Sequence, residues 1–581
     1  MSRFLPSTSS RSYSLGTSVL TAALLASTSA LAQSPAQPFA EDLRQQERER
    51  ALRAQNERAV DAHLPRADAP AIGRLPDAEA PCFRIERLEL TGARADAFQW
   101  LLPRAAGAQG DDSPLGRCLG TQGVNTVLAR LQQALVERGW VTTRVLAAPQ
   151  DLASGTLRLT LVPGRIAAIR FAEDTANRTS LRNAVPAAVG DLLNLRDIEQ
   201  GLENLKRLPT ADADIQIEPS QAPGAEPGDS DLVVRYARRF PLRTTVSLDD
   251  SGTQATGRLQ AGITLAWDGP LGLNDLAYVS LNHDAFNHGG QGTHGQTLHY
   301  AIPYGHWLLA ATASRSRYHQ SVAGLDHNYV YAGTSRNAEV RLSRLVYRDQ
   351  RRKSTVSVRG WRRASANFID DTEVEVQRRV VGGWELGVQH REFVSLAGQT
   401  ATLDAGLHYR HGTGAFGAMP APEEAFGEGT SRMRVFTADA GLDMPFQLGT
   451  QKLRYAATAR VQWNRTPLTP QDRFAIGGRY TVRGFDGEAS LVGERGWLWR
   501  NDIGLALGTS GAELYAGIDH GQVRGPSTTS LPGRSLTGGV LGVRGHFKGL
   551  AFDVFAGTPI RKPARLHTSS VTLGFNLNYS F

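Results

Sequence analysis

Residues 453–463 read LRYAATARVQW. In extended conformation Leu453, Tyr455, Ala457, Ala459, Val461 and Trp463 share one face, and Arg454, Thr458, Arg460 and Gln462 share the other. An apolar and a polar face at period two predict a half-buried strand. The pattern recurs from about residue 242 to the C-terminus. In residues 434–446, Phe436, Ala438, Ala440, Leu442 and Met444 oppose Thr437, Asp439 and Asp443. In residues 571–581, Val571, Leu573, Phe575, Leu577, Tyr579 and Phe581 oppose Thr572, Asn576, Asn578 and Ser580. A β-sandwich also alternates. About 340 residues of alternation with one face polar throughout instead predict a lipid-facing barrel with a polar lumen. Seven of the nine Trp fall in this region, often near strand ends, as interfacial girdles require. Dividing it among about 16 strands leaves about 21 residues per strand and loop, room for spans of roughly 9–11 residues.

The rest of the 581-residue chain must serve that barrel. Arg3 and Arg11 precede an apolar stretch ending in Ala30-Leu31-Ala32, which predicts an export signal over residues 1–32. No later run approaches the roughly 18 apolar residues of a membrane helix, so membrane residence requires strands. The mean hydropathy of −0.30 does not argue against this, because a barrel lumen is polar. The net charge of +8 comes from basic residues scattered among acids, which disfavours nucleic-acid binding and leaves acidic lipid headgroups as a counterpart. The two cysteines, Cys82 and Cys118, invite a disulfide in an exported chain, with two unpaired thiols as the alternative.

Residues 33–58 are rich in helix formers but show no apolar stripe. A helix polar all round needs water on every side or a polar cavity; the plain alternative is a disordered charged arm. Residues 59–80 are Pro- and Ala-rich and read as a linker. Two similar units follow, over 81–163 and 164–240. Each orders strand, helix, strand, strand. Val124, Val127, Leu128, Leu131 and Leu135 mark the first helix, with Gly139 as its stop. Leu195, Ile198, Leu202 and Leu205 mark the second. The barrel region is 241–581.

No nucleophile, metal or phosphate motif stands out. Residues 412–417, GTGAFG, match a dinucleotide fingerprint but open no helix and are followed by Pro420 and Pro422. His283, His288, His294 and His299 read as a solvated loop and strand rather than a metal site. Neither enzyme activity nor a cofactor is expected.

The segment RYTVRGFDGEASLVGERGW, residues 479–497, breaks the alternation with Gly and charge. Its Val482, Arg483, Gly484 and Phe485 resemble the VRGF signature of the lumen-folded loop in the outer-membrane protein-assembly and secretion superfamily. The tandem units resemble POTRA domains. Two such domains, a polar N-terminal helix and a barrel of 16 strands resemble the two-partner secretion transporters of the filamentous-haemagglutinin and haemolysin type. The resemblance covers essentially the whole mature chain. It implies an α+β periplasmic pair on a 16-stranded barrel, with the polar helix as plug. The barrel would be an outer-membrane pore that secretes an unfolded exoprotein to the cell surface. Lipopolysaccharide, the barrel-assembly machinery and periplasmic chaperones would be further partners. A factor that inserts other proteins into the membrane is the alternative reading. The resemblance also implies that Asp519, in the family's G-x-D with Gly517, faces Arg483. In a wet lumen such a pair is expected to contribute on the order of 1 kcal/mol. It would position a loop that hydrophobic packing alone could not hold, with its tip at residues 486–491.

Overall fold

The computed structural model describes residues 38–57, 60–62, 64, 72–175, 178–286 and 289–581. The expected export signal, the start of the polar segment and much of the linker lie outside these residues.

The first module contains strand Arg87–Gly92, a 3-10 stretch Ala95–Ala106, helix Thr121–Glu137 and strands Arg144–Leu146 and Thr156–Val162. Its last strand is central, parallel to Arg87–Gly92 and antiparallel to Arg144–Leu146. The second module repeats this topology. Strand Ser230–Arg238 lies between Ile166–Phe171 and Ala211–Pro219, and helix Leu195–Lys206 covers the sheet. In the first helix Val127, Leu131 and Leu135, four apart, are fully buried. Each such side chain contributes roughly 1.5–3 kcal/mol relative to exposure. The second helix starts where the Asn194 side chain accepts the Arg196 N–H at 2.8 Å.

The first module departs from the simple strand reading at its start. Phe83–Arg84 pairs with Cys118–Leu119, Ile85 turns into the core, and a separate strand begins at Arg87. Cys82 and Cys118 form a disulfide across this corner, with their Cα atoms 5.3 Å apart. In the chain-entropy account, a closed loop of this length is worth roughly 3–4 kcal/mol. The same module buries an ion pair that apolar periodicity could not reveal. Arg130, on helix Thr121–Glu137, bonds Asp112 and donates to the carbonyls of Ala105 at 2.8 Å and Gly73 at 3.1 Å. The Leu75 amide donates to Asp112 at 2.8 Å.

Among the described residues, sixteen strands from Leu242–Asp249 to Thr572–Ser580 close into one antiparallel barrel. The two-residue strand Thr372–Glu373 adds only a hairpin tip. First and last strands meet over Thr245↔Ser580 to Asp249↔Asn576. Turns at one end are short, as at Tyr304–Trp307 and Leu448–Gln451, and loops at the other are long. The outer face is apolar and exposed, as Leu265, Val340, Ile518, Leu541 and Leu573 show. Trp361 departs from the expected girdle. It lies on the inner side among Val381, Met433, Val435 and Leu468, because its parity along the strand matches lumen-facing Arg359 and Arg363. No described helix is long and apolar enough to cross a membrane.

The second module is fixed beneath the short-turn end. Asp268, fully buried, accepts Arg243 through two bonds of 3.0 Å and the Thr210 hydroxyl at 2.8 Å. Arg348 reaches Glu203 at 2.8 Å and Glu199 at 3.2 Å. Asn204 donates to the Gly305 carbonyl at 2.8 Å. Linker amides of Ala62 and Leu64 donate to Glu203 and Glu199 at 3.2 and 3.3 Å, so the linker runs over the same contact.

Asp112 yields a pH prediction. Burial disfavours its charge, but the Arg130 hydrogen bond, the Leu75 amide and the Arg charges outweigh that and hold its pKa below the usual carboxylate value. A depressed folded-state pKa stabilises above the unfolded value and is lost as pH falls through the folded one. The first module should therefore lose stability as pH falls below about 4. Hydrogen exchange of full-length protein should show this in peptides of residues 81–163. Asp112→Asn should weaken protection at neutral pH and flatten the acid limb; an unchanged acid limb would remove Asp112 as its cause.

Candidate functional site: the filled lumen

After strand Gln451–Asn464 the chain does not return directly to the wall. Residues 465–494 fold back into the barrel, where Phe474–Ile476 pairs with Leu491–Gly493. The wall resumes with Arg495–Ala506. The loop thus ends before Trp497, which is already in a wall strand. Leu491, expected at the tip, lies in the hairpin, fully buried.

Arg483 anchors this loop. Its Nε donates to Asp519 Oδ2 at 2.7 Å, its Nη2 to Oδ1 at 2.7 Å, and its backbone N–H to Oδ2 at 2.9 Å. Nη2 also reaches Asp502 at 2.5 Å. Asp502 accepts Arg544 at 2.9 Å, and Arg544 continues to Glu513 at 2.5 Å. Planar guanidinium forks suit such paired carboxylate bonding. Gly517 sits across from Asp502 in register, and Arg483 Nη2 would lie 2.9 Å from a Cβ there. Gly484, at φ 92°, lets the backbone turn against the wall; a Cβ would meet the Thr558 carbonyl oxygen at 2.5 Å.

One expectation changes here. The pair is not exposed: Arg483 is 4% exposed and Asp519 0%. Apolar packing acts beside it. Val482 and Phe485 are buried with Phe474, Ile476, Leu491, Leu498, Val523, Leu536 and Leu566 in an apolar cluster inside the barrel. Sequence reading missed Asp502 and Arg544. The available signal was parity: Asp502 shares its inward face with Leu498 and Arg500. Arg479 adds a tie near the barrel seam, reaching Asp250 at 2.8 Å and the Phe575 carbonyl at 3.0 Å.

Helix Pro38–Asn56 occupies the remaining lumen. At about 1.5 Å per residue it spans roughly 28 Å, the height of the apolar wall. Its contacts point in all directions. Asp42 accepts Gln471 at 3.1 Å, Arg44 donates to Gly487 O at 3.1 Å, Glu47 accepts Arg460 at 2.8 Å, Glu49 accepts Ser314 at 2.6 Å, and Arg53 reaches Glu339 at 2.6 Å. Glu339 continues to Arg359 at 2.7 Å, and Arg359 to Glu385. A cavity of about 1010 Å³ remains between helix, loop and wall. Among the described residues no three His, Cys, Asp or Glu gather as metal ligands. His283 and His294 are cross-strand neighbours, while His299 faces Glu57 at 3.2 Å.

Removing the Arg483 side chain would leave Asp519 buried without its main partner. Arg483→Ala should therefore cost about 3–5 kcal/mol, read as a lower temperature for loss of the compact barrel band on unheated gels. Asp502→Asn should cost less, because Arg483 keeps Asp519. Exchanging charges by Arg483→Asp with Asp519→Arg should not restore the barrel, because the new carboxylate would face Asp502. Full rescue by that exchange would contradict the network.

Comparison with known proteins agrees with this architecture. The family described as haemolysin secretion/activation protein ShlB/FhaC/HecB matches residues 228–545. A ShlB-type POTRA domain matches residues 83–164 and a second POTRA domain matches 165–219. The outer membrane transporter CdiB-2 of Burkholderia pseudomallei is 37% identical over 92% of this chain and 93% of its own. The hemolysin transporter ShlB of Serratia marcescens is 25% identical over 70% of this chain and 71% of its own. The solved structure of CdiB from Acinetobacter baumannii superposes with a TM-score of 0.80 at 30% identity, covering 94% of this chain and 98% of that one. The chain belongs to the ShlB/FhaC/HecB family, the outer-membrane transporters of two-partner secretion, with periplasmic POTRA domains on a sixteen-stranded barrel.

Proposed function

We propose that this transporter takes an unfolded exoprotein from its POTRA domains, through the barrel lumen, to the cell surface, with no catalytic step of its own. The observation that carries this reading is the manner in which the lumen is filled. A helix with polar contacts on every side is compatible with water, so it can leave without exposing an apolar face. The path it vacates is lined by Ser, Thr, Arg and Glu, which suit a hydrated, extended polypeptide. The motif Val482, Arg483, Gly484 and Phe485, with Gly517 and Asp519 on the wall, fixes the loop beside that path. The outer sheet edges of the POTRA domains offer backbone groups for strand addition by the client. Chaperones that keep the client unfolded, the barrel-assembly machinery that inserts the wall, and lipopolysaccharide around it complete the proposed partners.

Deleting residues 38–57 should raise single-channel conductance in planar bilayers while the compact barrel band persists. Unchanged conductance would mean that the helix does not limit the pore. Deleting residues 81–163 should abolish exoprotein release while membrane insertion continues. Release at the parental level would place client recognition outside the first POTRA domain.

A further inference from the structure

The outer wall carries a cluster of cations that the transport path does not use. On strand Trp307–Ala323 the outward residues run Trp307, Leu309, Ala311 and Ala313, and then Arg315 and Arg317. On strand Asn328–Arg348 they run Leu342, Val340 and Ala338, and then Arg336. Register places Arg315 directly opposite Arg336, and Arg317 directly opposite His294. Like charges facing across a sheet destabilise it unless something neutralises them.

Among the described residues nothing does so. Among the described residues Arg315, Arg317 and Arg336 have no ion-pair or hydrogen-bond partner, and Arg315 Nε is buried without one. From the apolar band upward, the outward positions of the four strands from Gln291–Tyr304 to Arg352–Ile369 carry no Asp or Glu. Arg362, on the last of these, donates only to the Phe416 carbonyl, at 2.9 Å. Elsewhere on the wall the opposed pair Arg495 and Arg524 has neutral partners, Asn464 at 2.8 Å and Gln522 at 3.0 Å.

Height along the wall identifies the counter-charge. With about 3.4 Å per residue and a tilt near 40°, Trp307 to Arg315 climbs roughly 21 Å, close to the ~25 Å of an apolar band. Trp307 lies at the periplasmic edge, so Arg315, Arg317 and Arg336 lie at the headgroup level of the outer leaflet. A soluble anion or a protein partner would have to displace lipid to reach them there. We propose that these three arginines form a binding site for the phosphate groups of an outer-leaflet glycolipid of the lipopolysaccharide type. The proposal rests on the outer-membrane placement and gives its general lipid contact a defined site.

The test uses full-length protein in neutral detergent, mixed with bisphosphorylated lipid A or with the same lipid stripped of phosphate. Lipid retained after gel filtration is counted by native mass spectrometry. The parent should retain the phosphorylated form preferentially. Arg315→Gln with Arg317→Gln and Arg336→Gln should bind it at least about tenfold more weakly. Arg495→Gln with Arg524→Gln should bind as the parent does. If the triple variant gives no compact barrel band, Arg336→Gln alone should still lower retention. Equal retention of both lipids by the parent, or equal loss in the two sets of variants, would overturn the site. Secretion is not read, so a failure here leaves the transport reading intact.

Discussion

A closed sheet with no edge constrains everything else in this protein. Inside a bilayer each backbone donor and acceptor must find a partner within the protein, and a closed barrel is the way strands achieve this. Closure gives every strand one lipid face and one lumen face. The period-two alternation of residues 434–446 and 453–463 follows from that, as does a lumen lined by charge. A wide polar lumen would be an open hole in the membrane. The chain therefore supplies its own filling, the helix Pro38–Asn56 and the loop of residues 465–494.

The two fillings are held by different physics. The helix is tied by ion pairs that water can reach: Arg53 and Glu339 have side chains 28% and 19% exposed, and Arg460 and Glu47 33% and 21%. Pairs of this kind contribute about 0.2–1 kcal/mol each. The loop is tied by Arg483 and Asp519, whose side chains are 5% and 0% exposed, and by the apolar cluster around Val482 and Phe485. Breaking a buried pair strands a charge, and opening the cluster exposes apolar surface. In the proposed transport reading the helix is accordingly the filling that leaves, and the loop is the one that stays.

The linker relates the lumen to the periplasm. Its amides at Ala62 and Leu64 bond the same Glu203 and Glu199 that hold Arg348 at the barrel mouth. Linker, second POTRA domain and barrel turn therefore share one group of carboxylates. Asp268 fixes the start of the first barrel strand to the same domain through Arg243 and Thr210. The position of the domain under the pore rests on these polar contacts together with apolar packing, since Ala266, Leu276 and Tyr278 of the barrel join the buried cluster of the second domain.

The sequence by itself determined the repeating parts. Period two announced the wall, because lipid on one side and water on the other sort residues along every strand. Spacings of three and four marked the helices Thr121–Glu137 and Leu195–Lys206, because each covers one face of a sheet. The lack of any stripe in residues 33–58 left a polar cavity and a disordered charged arm as alternatives, and the contacts of helix Pro38–Asn56 with lumen residues chose the cavity. The cysteine count and the export signal pointed to the disulfide. Tertiary structure decided whatever depends on which residues meet across the lumen. Asp502 and Arg544 join Arg483 only because three neighbouring wall strands present them to the side of the lumen where the loop folds back. Trp361 turns inward because parity along its strand outweighs its affinity for an interface. The seclusion of Arg483 and Asp519 arises because loop and wall together exclude the water that a barrel lumen would otherwise supply, and burial of that kind is a property of volume, which no linear pattern records.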